Sequence, residues 1–361
     1  MSLADTPRRT RLAVAGAGYI GQAHIEAIGQ WPDRAVLSAI VDPSPAARAV
    51  AQARGVPLVA TLDELIARDR PDGIVLATPN ALHVPQALTC LAAGLPMLLE
   101  KPIAPSEAEA EALVRAVEAG DIPVLIGHHR AHSPLMARAR EVIEAGELGR
   151  IVGVMGSATF YKPTEYFEAG PWRREPGGGP ILLNLIHEVH NLRMLCGEIV
   201  AVQAFASNAV RGHAVEDTVA INLRFASGAL GTFLLSDTSA CPRSWEQTSR
   251  ENPAYDHHPD EDCYVITGTR GSLSVPTLRL KSYLRDEDRS WWKPMSSRTL
   301  PLTRDDPIRL QMGHFIDVVR GAAAPVVTAR DGLNNLRVTE AVVAAARSGA
   351  VQPIALGIPG A

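Results

Sequence analysis

Three glycines near the start of the chain have the spacing of a phosphate-binding turn. Gly16, Gly18 and Gly21 form G-x-G-x-x-G in LAVAGAGYIGQAH, after an apolar run and before a helical stretch that opens with Tyr19 and Ile20. The first glycine permits a tight turn, the second lets the backbone approach a pyrophosphate, and the third lets helix and sheet pack closely. The N–H groups at the helix start can then face the phosphates. The turn therefore predicts a dinucleotide site.

A carboxylate further along extends this prediction to the adenosine half of the cofactor. Asp42 ends the apolar run VLSAIVD, roughly 20 residues beyond the glycines, where a carboxylate accepts hydrogen bonds from a ribose. This position favours NAD over NADP, although Arg48 leaves NADP open. The alternative role of Asp42 is to cap the helix predicted for PSPAARAVAQA.

A second stretch, GGGPILLNLIHEVH, places a tight glycine turn before a helix with regularly spaced polar residues. Asn184, His187 and His190 are three residues apart, so an α-helix would bring them to one face, where they can converge on a small molecule. A single histidine on an apolar helix is more often a hydrogen-bonded core residue. Three polar residues in register favour a binding site.

Two different scaffolds must position these side chains. The first third of the chain alternates Ala-rich helical stretches with the short apolar runs RLAVAG, VLSAIVD, GIVLAT, PMLLE and IPVLIG. Such runs, joined by helices, predict a doubly wound α/β domain whose parallel sheet is buried on both faces. Later, a helix over 133–145 precedes stretches with period-two alternation, which predict an α+β domain with a mostly antiparallel sheet. We expect domains at 1–127 and 128–361.

Composition narrows the range of partners. The 361 residues carry a net charge of −4, which provides no basic field for nucleic acid. The four cysteines are far apart and form no C-x-x-C pair, which argues against a disulfide scaffold and a structural zinc site. YDHHPDEDC has metal-binding residue types without ligand spacing, so we expect no metal. The absence of a membrane-length apolar segment and of a signal peptide predicts a cytoplasmic protein without a membrane partner.

Four landmarks together resemble the Gfo/Idh/MocA oxidoreductases: GAGYIGQAH, ATPNALH (77–83), LLEKPIA (98–104) and GGGPILLNLIHEVHNLRML (177–195). The resemblance spans most of the chain. It implies an N-terminal Rossmann domain, a C-terminal domain built on a large open sheet, and a site where the nicotinamide faces the substrate. It also implies a homo-oligomer, a dimer or tetramer, formed through that sheet.

The resemblance assigns roles to the two middle landmarks. In such enzymes the lysine of E-K-P acts at the reacting hydroxyl or carbonyl, and here that lysine is Lys101. Beside a cationic nicotinamide and partly shielded from water, its pKa is expected to fall, so that it can exchange the hydroxyl proton while hydride moves. The alternative is that Lys101 forms a salt bridge with Glu100 or interacts with a helix terminus. The T-P-N-x-x-H stretch lies beside the nicotinamide ribose in the family, and with the E-K-P glutamate it implies a cofactor set of Thr78, Pro79, Asn80, His83 and Glu100.

The histidine-bearing helix departs from the family pattern. Most members carry Asp four residues before the histidine, where acid and imidazole together transfer protons and orient the substrate; here that position is Leu183. Asn184 is the nearest polar neighbour, and an amide cannot act as a base. We therefore expect His187 to work with Lys101 without that carboxylate, or the reaction to differ from simple alcohol oxidation.

Candidate specificity residues lie in two further stretches. FYKPTEYFEAGPWRREPGGG (160–179) combines aromatic faces, which pack on ring carbons, with basic groups, which pair with carboxylates. GHHRAH (127–132) ends the last predicted parallel strand and should face the ligand crevice. Together with the helix residues, they predict a substrate set of Lys162, Trp172, Arg173, His129, Arg130, Asn184 and His190.

These observations predict an NAD(P)-dependent dehydrogenase that acts on a secondary alcohol of a sugar, polyol or sugar acid. Two alternatives stay open at this point. A retained and recycled cofactor would give an isomerase or a glycoside-cleaving enzyme, and a non-catalytic dinucleotide sensor would bind a partner protein. The presence of both Lys101 and His187 argues against the sensor.

Overall fold

The computed structural model describes residues 8–356, which fold into two compact units. The first unit extends to His132 and includes a later segment, Pro307–Leu336. The second unit comprises Ser133–Asp306 and the chain from Arg337 onward. Each unit has its own hydrophobic core.

Helices and strands alternate over the first third of the chain, and strands dominate the middle. In chain order the strands are β1 (Thr10–Ala15), β2 (Ala35–Val41), β3 (Leu58–Val59), β4 (Gly73–Leu76), β5 (Met97–Leu99), β6 (Val124–Ile126), β7 (Ile151–Thr159), β8 (Ile199–Ser207), β9 (Thr218–Phe225), β10 (Leu230–Ser236), β11 (Tyr264–Gly268), β12 (Gly271–Val275), β13 (Arg279–Ser282), β14 (Ser296–Thr299) and β15 (Gln352–Pro353). The α-helices are α1 (Tyr19–Gly29), α2 (Ala47–Arg54), α3 (Leu62–Asp69), α4 (His83–Ala92), α5 (Glu107–Glu118), α6 (Pro134–Glu144), α7 (Thr164–Glu168), α8 (Ile186–Cys196), α9 (Trp245–Ser249), α10 (Pro307–Val319) and α11 (Ala329–Ser348).

The first unit is built on a six-stranded parallel sheet with the order β3-β2-β1-β4-β5-β6. Its central strands are continuous apolar runs because both faces of the sheet are covered; Leu12, Val14 and Ile74, for example, are completely buried. The five apolar runs in the sequence correspond to β1, β2, β4, β5 and β6. The prediction of a doubly wound α/β domain is therefore confirmed.

The second unit contains a nine-stranded sheet with the order β14-β13-β12-β11-β7-β10-β9-β8-β15. Neighbouring strands are antiparallel except β7 and β10, which are parallel. Burial alternates along β9, where Val219, Ile221 and Leu223 face the core while Ala220 and Asn222 are exposed. This alternation confirms a mostly antiparallel sheet with one covered face.

The grouping of the chain differs in two respects from the domains expected at 1–127 and 128–361, and the first is that residues 128–132 belong to the first unit. Second, the segment 307–336 belongs to the first unit, because α10 packs on α1 and on the loop that follows it. Trp31 Nε1 donates to the carbonyl of Arg309 at 3.0 Å, and a Cβ at Gly313 would lie 2.6 Å from the Trp31 ring. The outer limits of the expected domains, residues 1 and 361, lie outside the described residues.

No helix between residues 8 and 356 combines the length and apolarity needed to cross a membrane. In the same range no disulfide joins the cysteines. Burial raises the pKa of the Cys90 and Cys196 thiols to about 12, so neither forms a thiolate near neutral pH.

Candidate functional site

A cavity of about 850 Å³ opens beside the glycine turn of the first unit. Its volume falls within the range of about 300–1,000 Å³ that is typical of small-molecule sites. Its walls include the loops that follow β1, β2 and β4, where ligands bind in doubly wound sheets. The cofactor residues expected from sequence that line it are Gly16, Gly18, Tyr19, Ile20, Asp42, Thr78 and Pro79.

The three glycines of the turn occupy three different environments. Gly16 has a φ of +89°, and a Cβ there would lie 2.4 Å from the Ala77 carbonyl oxygen. A Cβ at Gly21 would lie 1.9 Å from the Gly16 carbonyl oxygen, so this glycine lets α1 pack against the turn. At Gly18 a Cβ would meet no protein atom within 4 Å, which leaves open space in front of the backbone.

The start of α1 is suited to an anion. Gly18 is the N-cap residue, no side chain caps the helix, and its first turn holds no acidic residue. Helix N-termini with this arrangement offer backbone N–H groups to phosphate. The open space at Gly18 and these amides together fit the pyrophosphate of a dinucleotide.

Asp42 connects the glycine turn to the loop after β2. Its Oδ2 accepts a hydrogen bond from the Ala17 N–H at 2.8 Å, and its Oδ1 accepts from the Ser44 N–H at 2.8 Å. Partial burial works to raise the pKa of Asp42, but the hydrogen bonds from Ser44 and Ala17 outweigh it and hold the pKa below the usual value. Each ionised oxygen keeps a second acceptor direction for a ribose hydroxyl.

The helix-capping alternative for Asp42 is not realised, because the N-cap of α2 is Ala46. Arg48, which left NADP open, is exposed on α2 and is not among the residues that line the cavity. The wall at this point thus carries a negative charge, which is unfavourable for a 2′-phosphate.

Glu100 lies beneath Lys101 and does not line the cofactor cavity. Its Oε1 is 2.8 Å from His24 Nε2, and its Oε2 accepts from the Lys101 backbone N–H at 3.2 Å. A Cβ at Gly127, at the end of β6, would lie 2.8 Å from the carboxyl carbon. Burial works to raise the pKa of Glu100, but the His24 hydrogen bond and the nearby charges of His24, Lys101 and His129 hold the pKa below its usual range.

His83 joins the two loops that carry the other predicted cofactor residues. Its ring is buried, with Nδ1 2.8 Å from the Pro102 carbonyl oxygen and Nε2 2.9 Å from the Thr78 carbonyl oxygen. It therefore ties the T-P-N loop to the E-K-P loop and lies outside the cavity wall. Asn80 is half-buried, and its Oδ1 atom, which is itself buried, has no hydrogen-bond partner among residues 8–356.

In the second unit, the glycine turn is followed by a π-helical turn, Ile181–Leu185, that precedes α8. Asn184 lies in this turn, whereas His187 and His190 lie on α8. The spacing-of-three argument assumed α-helical geometry for all three residues, and it does not hold across the π turn. His187 is half-buried and His190 is buried. Single π turns inside helices are frequent at functional sites.

Lys162 and Asn184, both expected to contact substrate, are brought together. Lys162 Nζ donates to Asn184 Oδ1 at 2.7 Å and lies 3.5 Å from Asp237 Oδ2. The ammonium also lies over the rings of Tyr166 and Phe160, 4.9 and 5.5 Å from their centroids. Burial lowers the pKa of Lys162 to about 8, although the charge of Asp237 opposes this shift. This lysine can therefore change its charge near neutral pH.

Asp237 and Arg211 complete this cluster, and neither was identified from the sequence. Lys162 follows β7 and Asp237 follows β10, and because these strands are parallel their ends lie at the same edge of the sheet. Arg211 Nε donates to Asp237 Oδ1 at 2.9 Å, and Arg211 also donates to the Lys162 carbonyl at 2.8 Å. Asp237 could have been identified from the sequence, because it comes directly after the apolar run that forms β10.

The remaining predicted substrate residues are divided between the units. Trp172 is largely exposed in the second unit, and its neighbour Arg173 stacks on the Tyr166 ring with a centroid distance of 4.0 Å. His129 and Arg130 lie in the first unit, in the turn after β6, where Arg130 is buried. Lys101 is likewise in the first unit and His187 in the second. The expectation that these two residues share a substrate stays a prediction.

The acidic and histidine-rich loop at 255–263 is engaged in ion pairs. Glu261 pairs with Arg243 at 2.7 Å, and Asp262 pairs with Arg279 at 2.9 Å. In the part of the chain that the structure describes, no group of three or more His, Cys, Asp or Glu side chains is arranged to hold a metal ion.

The parallel sheet, its glycine turn and the carboxylate after β2 define a Rossmann-type dinucleotide-binding protein. Residues 10–128 match the oxidoreductase family with an NAD-binding Rossmann fold, GFO_IDH_MocA, and residues 136–274 match a GFO/IDH/MocA C-terminal domain. The chain therefore belongs to the GFO/IDH/MocA family of oxidoreductases, and its resemblance to this family is confirmed.

Individual relatives cover different shares of the chain. It is 26% identical to the rhizopine catabolism protein MocA of Rhizobium meliloti over 92% of this chain and 94% of that protein. It is 34% identical to inositol 2-dehydrogenase of Corynebacterium glutamicum, over 40% of this chain and 44% of the relative. Among solved structures, the WlbA dehydrogenase of Bordetella pertussis, in complex with NADH and UDP-GlcNAcA, is similar with a TM-score of 0.76 and 26% identity, covering 97% of this chain and all of that one.

Replacement of Asp42 by Ala is expected to weaken NADH binding about 10- to 100-fold, because a hydrogen bond to a charged acceptor is worth about 1.5–3 kcal/mol. NADPH binding should stay level or tighten as the repulsive charge is lost. Asp42→Asn is the matched control, since it keeps the shape and one acceptor oxygen. Titrations followed by nucleotide fluorescence give both affinities, and an unchanged NADH-to-NADPH ratio in Asp42→Ala would contradict a ribose-facing carboxylate.

Proposed function

We propose that this chain is an NAD-dependent dehydrogenase that transfers a hydride between nicotinamide and a secondary alcohol or ketone of a sugar, polyol or sugar acid. The observation that carries the proposal is the cavity in the first unit, where the glycine turn and Asp42 offer partners for a dinucleotide. Relatives named for inositol oxidation and rhizopine catabolism support a small polyhydroxylated substrate. We further propose a cytoplasmic location, in keeping with cysteines that form no disulfide within residues 8–356.

NAD is the proposed cofactor because Asp42 is held ionised at the adenosine end of the cavity. NAD, when bound, supplies the hydride acceptor. The Gly18 backbone and the first amides of α1 would hold its pyrophosphate, and Asp42 its adenosine ribose. Thr78 and Pro79, which line the cavity, would lie toward its nicotinamide half, together with Asn80, which follows them in the same loop.

Lys101 is the proposed group that exchanges the proton of the reacting hydroxyl. It follows β5 at the carboxyl edge of the sheet, where ligands of doubly wound domains bind. The buried Glu100 carboxylate lies next to it, and the charge of Lys101 helps to hold the pKa of Glu100 below its usual range. His187 is the proposed second contact to that oxygen, in a helix that has Leu183 where the family usually has an acid.

The first experiment mixes the purified protein with NAD⁺ and a panel of polyols, aldoses and sugar acids, and follows nicotinamide absorbance. Net reduction is expected with at least one member. Lys101→Met should lower kcat at least about 100-fold, the usual contribution of a general base, while NAD⁺ affinity changes less than about twofold.

Full activity in Lys101→Met would contradict its role as the base. Bound NAD⁺ that turns over without net reduction would move the proposal to recycled-cofactor chemistry, that is, an isomerase or a glycoside-cleaving enzyme. Lys281→Met, at an exposed lysine on β13, is the control for the loss of a lysine elsewhere in the protein.

Within this substrate range we propose a sugar acid, with Lys162 as the cation that meets its carboxylate. Lys162 combines a positive charge with the aromatic faces of Tyr166 and Phe160, a pairing suited to a ring that carries an anionic group. Asn184, which now accepts from Lys162, would offer a polar partner to a hydroxyl beside that carboxylate. A buried cation is costly without a compensating anion, and a substrate carboxylate would add to the charges of Asp237 and Glu246, which already favour the ammonium form of Lys162.

Lys162→Met should raise KM for sugar acids at least about tenfold and leave KM for the matching neutral polyols within about twofold, as expected for the loss of a charged contact. The sign of the pH effect follows from the pKa of about 8: the amine is charged below this pH and neutral above it. In the wild type, KM for acids should therefore rise above pH 8, whereas in Lys162→Met it should not change there. Equal effects on acids and polyols would contradict the proposal.

We also propose that the outer face of the nine-stranded sheet docks a second copy of the chain. The large apolar side chains exposed on this face include Met155 on β7, Leu234 on the neighbouring β10 and Phe205 on β8, which is separated from β10 by β9. Exposed apolar patches of this kind mark association surfaces in globular proteins, and closed symmetric dimers are the commonest result.

Sedimentation analysis is expected to give a dimer or tetramer for the wild type and a monomer for Leu234→Lys, because a buried unpaired ammonium opposes association. Val210→Lys changes an apolar residue outside the sheet that is more exposed than Leu234, and it is the control. A wild-type monomer, or an oligomer that survives Leu234→Lys, would contradict docking through this face.

A further inference from the structure

The third glycine of the GGG turn gives room to a carboxylate from elsewhere in the second unit. A Cβ at Gly179 would lie 2.4 Å from Glu216 Oε1 and 2.7 Å from the carboxyl carbon. That Oε1 atom accepts a hydrogen bond from the Ile181 backbone N–H at 2.9 Å. Ile181 is the first residue of the π turn. Glycine is thus needed at 179 for this contact to exist.

Glu216 is an unusual partner for the start of a helical segment. Helix N-termini are normally capped by Ser, Thr, Asp or Asn at the N-cap position, but here that position is Pro180, which makes no side-chain cap. Glu216 comes from the loop between β8 and β9, 35 residues further along the chain. It therefore fixes the π turn to the sheet.

The surroundings of Glu216 disfavour the charged form of its carboxylate. Burial raises the pKa of Glu216 and the nearby charge of Asp237 raises it further, while the Ile181 hydrogen bond and the charge of Lys162 oppose the shift. A shielded carboxylate is unfavourable unless its contacts compensate for the loss of water. Its defined contact is with the segment that carries Asn184.

The π turn is short enough to transmit this constraint. Ile181, held by Glu216, and Asn184, held by Lys162, are both within its five residues. His187 follows on the first turn of α8. A shift at Ile181 would consequently move the Asn184 amide and the start of α8 together.

We propose that Glu216 is a positioning residue of the substrate site: by holding the Ile181 N–H it sets where Asn184 meets Lys162 and how α8 presents His187. Gly179 is part of the same device, because its missing side chain admits the carboxylate. The inference rests on the proposed function, which makes Asn184 and His187 substrate contacts.

A double-mutant cycle tests this assignment. Glu216→Ala removes the acceptor, and Gly179→Ala displaces it by a steric clash. Each should lower kcat about 10- to 100-fold, with NAD⁺ affinity unchanged, since one charge-assisted hydrogen bond is lost. In the double variant the clash no longer exists, so kcat should equal that of Glu216→Ala alone. Glu216→Gln keeps an acceptor oxygen and should recover most of the wild-type kcat.

Hydrogen exchange of the 181–185 amides provides a readout that needs neither substrate nor cofactor. Exchange should accelerate in Glu216→Ala and Gly179→Ala and stay near wild type in Glu216→Gln. Unchanged exchange in Glu216→Ala would overturn the inference even if no substrate in the panel reacts. If the wild type shows no activity, NMR of labelled lysines replaces kcat, and an unshifted Lys162 signal in Glu216→Ala overturns the inference.

Accelerated exchange with unchanged kcat, in an enzyme that is active on the panel, would also overturn it, because the contact would then be structural only. Additive losses in the double variant would likewise contradict a shared contact. If Gly179→Ala fails to fold, the comparison of Glu216→Ala with Glu216→Gln still decides, because these two variants differ in the acceptor that reaches Ile181.

Discussion

The hydrogen bond between His24 and the buried carboxylate of Glu100 is the interaction on which the proposed catalytic edge of the first unit depends. A shielded carboxylate would normally take up a proton, but the hydrogen bond with His24 and the surrounding positive charges keep it ionised. Because Gly127 has no side chain, β6 can approach it closely. The resulting fixed negative charge lies directly behind the residue expected to exchange a proton with substrate. The α1 helix thus contributes to the site twice, through its first amides at the glycine turn and through His24 one turn later.

The second unit also places a lysine near a buried carboxylate, but there the effect of burial on the lysine is larger than the effect of the carboxylate. Lys162 also stands just beyond a strand end with a buried carboxylate, Asp237, nearby. Here burial lowers the pKa of Lys162 by more than the charge of Asp237, 3.5 Å away, raises it, so the pKa falls. The pKa of Lys162, about 8, is therefore close to neutral pH, and small changes in its surroundings will alter the fraction of the amine that is charged. Arg211, which binds both Asp237 and the Lys162 carbonyl, keeps these surroundings fixed.

Local patterns in the sequence predicted the features that are determined locally. Five of the six parallel strands were found because their apolar runs reflect burial on both faces; β3, with only Leu58 and Val59, is too short to give such a signal. The helix over 133–145 was placed correctly because Ser133 and Pro134 mark its start. The return of α10 to the first unit was not predicted, since its contact with Trp31 lies almost 300 residues away in the chain. The π turn has no residue signature, and Glu216 is connected to it only through folding.

Leu183, where the resemblance to the family led us to expect an acid, lies in the π turn. With leucine there, the neutral Asn184 oxygen is the nearest polar partner of Lys162, at 2.7 Å, and Asp237 is more distant. Burial and the charge of Arg211 lower the pKa of Lys162, while the charges of Asp237 and Glu246 oppose this shift. Leucine at this position leaves Asn184, an amide that cannot act as a base, as the polar partner of Lys162 in the π turn.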